Sequence, residues 1–208
     1  MKFSEKELQV IDIAERLFAE KGFEGTSVRD IVKEACGNVS MISYYFGSKE
    51  NLLLAVLERR NNEVIDHITH LIDNKDLTDM QKISIFIDDF LDNLVKRRNL
   101  HKVLIREELF SRDPKIYTMI YEFKKKNMAM IEQILQHGKE TGEFKKDADI
   151  ALLMATVIGT TSQLFISQDF YAQISGAANP ATGGFNPELF NKLKAHLKGI
   201  LKLVLTGE

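Results

Sequence analysis

The chain has 208 residues, enough for one large domain or for a small domain joined to a larger one. Hydrophobic residues at 44% and charged residues at 28% are ordinary for a folded globular chain and exclude one dominated by disorder. The formal net charge of −2 gives no general attraction to nucleic acid, and the single cysteine, Cys36, has no partner for a disulfide or a Cys-x-x-Cys site, so packing must supply stability.

The N-terminus reads Met-Lys-Phe-Ser-Glu-Lys-Glu, with acidic residues where an export signal needs an apolar stretch, which predicts a cytoplasmic protein. Between turn signals the apolar residues recur at three and four, the helical period, so the expected fold class is all-α. A first helix is predicted from about Ser4 to Lys21, burying Val10, Ile11, Ala14, Leu17 and Phe18 and ending at Gly22. A second begins at Ser27, which forms a capping box with Asp30, and buries Val28, Ile31, Val32 and Ala35. Cys36-Gly37 makes a short turn, Asn38 caps a brief third helix from Val39 to about Phe46, and Gly47-Ser48 recaps the chain into a fourth from Lys49 to about Asp73. Thr78 with Gln81 opens a helix to about Arg97; Leu100 to Phe110 is shorter, and Asp113-Pro114 starts a long one to about Glu140. Another runs from Asp147 to about Ser167. Its stretch from Ile150 to Gln168 has no charged residue, but Thr156, Thr160, Thr161, Ser162 and Gln163 cluster in the middle, which favours a buried or subunit-facing helix over a membrane span. Ser175 to Pro187 reads as a connecting segment, and Asn186 caps a last helix burying Phe190, Leu193, Leu197, Ile200, Leu201 and Val204.

Two short helices joined by a four-residue turn, with a first helix packed across them, have the geometry of a helix-turn-helix reader. The run from Val10 to Val56 carries three blocks at fixed mutual spacing: Ala14-Glu15-Arg16-Leu17-Phe18-Ala19-Glu20-Lys21-Gly22-Phe23, Thr26-Ser27-Val28-Arg29-Asp30-Ile31, and Tyr44-Tyr45-Phe46-Gly47-Ser48-Lys49-Glu50-Asn51-Leu52. On these blocks, which cover roughly the first quarter of the chain, the sequence resembles the N-terminal domain of the tetracycline-repressor family of transcriptional regulators. It departs from that pattern at the turn, where Cys36-Gly37-Asn38 replaces Gly-Val-Ser/Thr, and at Ser43, where a tyrosine is common.

On a helical wheel the third helix turns Ile42 and Phe46 inward, leaving Ser40, Met41 and Tyr44 outward and Val39, Ser43 and Tyr45 on the flanks. None is arginine, lysine or glutamine, so base reading must lean on apolar contact with thymine methyls and on hydroxyl hydrogen bonds. The resemblance implies phosphate contacts for Tyr45 and Lys49, a DNA-facing start of the second helix at Ser27 and Arg29, and base edges for the first turn of the third, from Asn38 on. Taken alone, Tyr44 and Tyr45 read as half-buried aromatics of a bundle and Lys49 as a solvated lysine; the surrounding blocks reverse that preference. Residues 1–50 hold seven basic and nine acidic side chains, so the head is not basic as a whole.

The expected division is a helix-turn-helix head over 1–48 and a larger helical domain over 49–208. The resemblance implies that the second domain dimerises and binds a small-molecule effector, making the chain a sequence-specific regulator, and in sign a repressor, released from a palindromic double-stranded operator. Ala155, Gly159 and Ser162 on the uncharged helix, with Leu193, Leu197, Ile200, Leu201 and Val204 on the last, predict a homodimer interface of four helices. Phe86, Phe90, Met119, Phe123, Met128 and Met154 are the candidate ligand-pocket residues, with ordinary core as the alternative. A helical metalloenzyme is the competing class, because His67 and His70 lie three apart beside Asp66. No histidine has a glutamate three residues before it, so the di-iron Glu-x-x-His arrangement is missing, and no catalytic residue, metal or cofactor is expected. A helical protein-interaction module with no DNA target is a third reading.

Overall fold

A computed structural model describes residues 3–35, 39–110, 113–145, 147–175 and 187–207. Among the described residues there are ten helices and no strand: α1 (Glu5–Lys21), α2 (Val28–Glu34), α3 (Val39–Tyr45), α4 (Lys49–Asp73), α5 (Asp79–Lys96), α6 (Arg98–Phe110), α7 (Pro114–Glu140), α8 (Ile150–Ile166), α9 (Gln168–Ile174) and α10 (Pro187–Thr206). They form two compact units, the first from Met1–His67 and Leu94–Lys126, the second from Ile68–Asn93 and Asn127–Glu208. The first unit therefore extends past residue 48 and takes in α6 and the front half of α7.

The first unit is nucleated by local signals. Ser4 caps α1 by accepting from the Glu7 amide at 3.3 Å, while the Glu7 carboxylate accepts from the Ser4 amide at 2.8 Å. Gly22 ends the helix with φ 78°, in the left-handed region, and its amide donates to the Phe18 carbonyl. Phe18, Ile31, Ile42, Leu52 and Leu53 then meet Leu100, Val103, Ile116 and Ile120 in one apolar core. Each such side chain contributes about 1.5–3 kcal/mol when fully buried, which makes α6 and the front of α7 part of the platform under α1.

In the second unit the start of α5 is held by a polar cluster. The buried Asp79 carboxylate accepts from Lys82 at 3.3 Å and lies 2.7 Å from His137 Nδ1, while Glu143 accepts from the Asp79 and Met80 amides at 2.8 and 3.1 Å. Thr78 and Gln81 form the expected capping box beside it.

Several boundaries differ from the sequence reading. Helix α6 starts at Arg98, not Leu100, and α8 starts at Ile150, not Asp147, because Asp149 is the cap and accepts from the Ala151 and Leu152 amides at 2.8 and 3.1 Å. The chain also turns at Ser167 into α9, bent 86° from α8, where the sequence reading ended the helix without another. In α10 the inward stripe runs Leu189, Leu193, Leu197, Leu201, Leu205, at a spacing of four with Phe190 alongside. Ile200 and Val204, expected inside, lie one residue off that stripe and are half-buried. The Cys36-Gly37 turn, the Asn38 and Asn186 caps and the connection over 176–186 lie outside the described residues. Among the described residues no single helix is long and apolar enough to cross a membrane.

Candidate nucleic-acid interface

The surface that reads DNA in a helix-turn-helix is built by α2 and α3, and here both are positioned by short-range hydrogen bonds. Ser27 accepts from the Asp30 amide at 3.1 Å, and its hydroxyl and amide donate to the Asp30 carboxylate at 2.7 and 2.9 Å. The bond from the Ser27 hydroxyl, then that from its amide, holds the Asp30 carboxyl below the usual carboxylate range. The Ser27 hydroxyl is thus already engaged in capping. Arg29, two residues after Ser27, is exposed and has no ion pair among the described residues.

Thr26, which opens the second sequence block but has no role assigned to it there, is buried and donates from one hydroxyl to the carbonyls of Leu17 at 3.0 Å and Gly22 at 2.8 Å. It locks the loop from α1 into α2. The Lys49 ammonium reinforces the same loop, donating to the carbonyls of Phe23 at 3.0 Å and Thr26 at 3.1 Å and sitting 4.2 Å from the centre of the Phe23 ring. An ammonium has three donors, so one N–H of Lys49 remains beyond these two bonds. Those partners, drawn from residues 23 to 26 before Lys49, give no local sequence signal.

Along α3, Ile42 and Phe46 face the core as expected. Ser40, Ser43 and Tyr44 are exposed, Tyr44 at 82%. Met41 differs: it is half-buried and packs against the core, so it presents only part of its side chain outward. Tyr45 is also half-buried, its ring 5.0 Å from Tyr44 in an edge-on contact and 6.3 Å from Phe46. Val39 opens α3, and Asn38 lies outside the described residues. Gly47, φ 78°, then lets the chain turn into α4, whose first turn is capped by Ser48 accepting from the Asn51 amide at 3.1 Å.

The acidic excess of the head is largely answered by cations from α1 and α4. Asp12 pairs with Arg59 at 2.5 Å, Glu15 accepts from Arg60 Nε at 2.7 Å, and Glu20 and Glu34 both pair with Arg16. These are four of the seven acidic residues of α1 and α2 that a bare count sets against DNA.

The six candidate pocket residues divide between the units. Met119 and Phe123 pack against the first unit's core and line a shallow groove of about 510 Å³ with Leu54 and Pro114. Phe86, Phe90, Met128 and Met154 belong to the second. There the Phe86 and Phe90 rings stack at 6.2 Å, and Phe86 and Met154 line a cavity of about 20 Å³ whose other walls, among them Ile83, Ile131, Leu153 and Val157, are all apolar. Of the interface candidates, Ala155 and Gly159 are exposed and Ser162, Ile200 and Val204 half-buried, but Leu193, Leu197 and Leu201 pack inside the unit. Leu152 and Ile166 on α8, Phe170 and Ile174 on α9 and Leu203 on α10 are exposed apolar residues of the second unit that patterning missed. Among the described residues no three His, Cys, Asp or Glu side chains converge as a metal-ligand set around His67 and His70 or elsewhere.

Comparison with known proteins agrees with this geometry. Residues 10–56 match the family described as bacterial regulatory proteins, tetR family, and residues 57–168, more than half of the chain, match that described as YsiA-like protein, C-terminal region. The fatty acid metabolism regulator protein of Bacillus subtilis is 27% identical over 158 residues, 76% of this chain and 80% of that one. The HTH-type transcriptional repressor KstR2 of Mycolicibacterium smegmatis is 24% identical over 155 residues, 74% of each. In fold, the structure of the transcriptional regulator FadR from Bacillus subtilis in complex with stearoyl-CoA covers 97% of this chain and 98% of its own, with a TM-score of 0.72 at 23% identity.

Proposed function

The chain belongs to the tetR family of bacterial regulatory proteins and is a DNA-binding transcriptional regulator, and on that premise we propose that it is a cytoplasmic, homodimeric repressor of a palindromic operator, released by an effector with a long apolar chain. The observation that carries the effector class is the cavity of the second unit, whose walls are wholly aliphatic, aromatic or methionine. The solved FadR of Bacillus subtilis holds stearoyl-CoA, an amphipathic molecule of that kind. Catalysis has no part in this reading.

At about 20 Å³ the cavity has room for a single water. An apolar chain enters only by separating α5, α7, α8 and α10, and that repacking is what makes its affinity differ between two states of the regulator. The outer faces of α8 and α10 supply the dimer: Leu152, Ala155, Gly159 and Ile166 on one, Leu203 with the half-buried Ile200 and Val204 on the other. A side chain added at Gly159 or Gly199 meets no atom of this protomer, so a partner helix has room to approach closely. Two heads then sit at a spacing set by the dimer, which a palindromic site matches.

Fluorescence anisotropy on DNA from upstream of the chain's own gene tests this directly, titrating acyl-CoAs of increasing length. Long chains should release the DNA, and short chains or coenzyme A alone should not. Long-chain acyl-CoAs that bind without altering operator affinity overturn the effector assignment.

A further inference from the structure

The inward stripe of α8 runs Leu153, Val157, Thr161, Phe165, at a spacing of four. Leu153 and Val157 are walls of the apolar cavity in the second unit. Thr161, one turn beyond Val157, is fully buried, and its hydroxyl has no hydrogen-bond partner among the described residues. A threonine in a helix can satisfy its hydroxyl on the carbonyl four residues back. Two others in this unit do so: Thr156 donates to Leu152 at 2.8 Å and Thr206 to Lys202 at 2.9 Å. Thr161 does not. Valine would fill the same space without stranding a polar atom, and a buried polar atom that goes unbonded calls for a specific reason.

We propose that Thr161 reads the carboxyl end of the effector, donating its hydroxyl to the carbonyl oxygen of a long-chain acyl thioester. The inference rests on the effector class proposed above. A saturated chain has no polar atom before its carboxyl end, so the one hydroxyl on an otherwise apolar stripe marks where that end lies. Between Thr161 and Ile150, the cavity wall at the start of α8, the helix rises about 16 Å. That length suits a long acyl tail, and a short one cannot reach both the cavity and the hydroxyl. The charge state follows from the surroundings. The cavity walls hold no cation, and Lys194 and Lys198 of α10 are already paired with Asp92 and Asp88 of α5. A carboxylate buried here would go uncompensated, whereas a thioester carbonyl is neutral and needs only a donor. The activated acyl chain is therefore recognised in preference to the free fatty acid.

The test titrates the full chain calorimetrically with stearoyl-CoA and with S-octadecyl-CoA, a thioether that keeps the chain and the coenzyme and lacks only the carbonyl oxygen. Wild type should bind stearoyl-CoA about fivefold more tightly, the worth of one neutral hydrogen bond to a buried group. T161V should bind both probes alike, and T161S should keep the preference. Thermal melts without ligand give a second readout. T161V should be as stable as wild type or more so, because it deletes a hydroxyl that bonds nothing in the empty protein. Equal binding of the two probes by wild type overturns the inference, as does a preference that T161V retains. A T161V protein that melts below wild type also overturns it, since the hydroxyl would then be bonded without effector. Each of these results leaves the effector class standing, whereas no binding of stearoyl-CoA at all removes that class and this inference together.

Discussion

Replacing Thr26 by valine keeps the shape of the side chain and removes the donor shared by the Leu17 and Gly22 carbonyls. The expected cost is about 1–3 kcal/mol, the penalty of leaving buried acceptors without a partner. Urea unfolding should show a lower midpoint at unchanged slope, and T26S should recover most of the loss. Lys49 braces the loop before α2 and is proposed to meet a phosphate as well. K49A gives up two carbonyl bonds and the Phe23 ring contact, so the head should melt earlier; if its remaining N–H meets a phosphate, the salt dependence of operator binding should also fall by about two units of slope per dimer. An earlier melt with an unchanged slope would make Lys49 a clamp alone. Y45F removes a neutral hydroxyl, and its affinity should drop while the slope stays put. Tyr44 and Ser40 are the cleaner probes of base preference, because Met41 also packs into the core and its substitution mixes stability with recognition. Asp30 adds a pH dependence. Its carboxyl is held low by Ser27, so its contribution is complete above the unfolded value, about 4, and fades as the pH falls through the lower folded value. S27A should flatten that acid limb.

Among the elements, the helices were legible in the sequence wherever a cap and a period coincided. Ser27 with Asp30, Thr78 with Gln81 and the proline opening α7 each mark a start that the structure keeps. The break at Ser167 had no such mark, since Ser167 forms no side-chain cap bond. Nor did patterning separate the two faces of α10: Leu201 and Val204 are equally apolar, and only packing decides which turns inward. The ion pairs of Arg59 and Arg60 span about 45 positions of sequence, beyond any local rule. Helix α6 carries a titration of its own. Burial pushes the His101 imidazole down, with Glu108 opposing. A depressed histidine favours the fold above its unfolded value near 6.5, and that stability is lost as the pH drops below it. Thermal melts from pH 7.5 to 5 should show this decline, and H101N should reduce it; an equally steep decline in the variant would place the titrating group elsewhere.

For the whole molecule, assembly is the first quantity to measure. Introducing L152E and L203E together puts carboxylates on both outward faces of the second unit without touching its core, and light scattering at micromolar concentration should then report a monomer that has lost operator affinity while keeping its helical signal. A wild-type monomer at that concentration would remove the dimer proposal. The nearly closed cavity sets how the regulator responds in time. If the chain must separate its helices before an apolar tail can enter, the rate of effector uptake should level off at high ligand concentration, at the frequency of spontaneous opening. The affinity measured at equilibrium is then the intrinsic one reduced by the fraction of molecules open at any instant. L153A, which trims the cavity wall at a cost of about 2–5 kcal/mol, should make the protein less stable and yet more sensitive to effector, so the threshold at which the gene is switched is tuned by how tightly the empty regulator is packed.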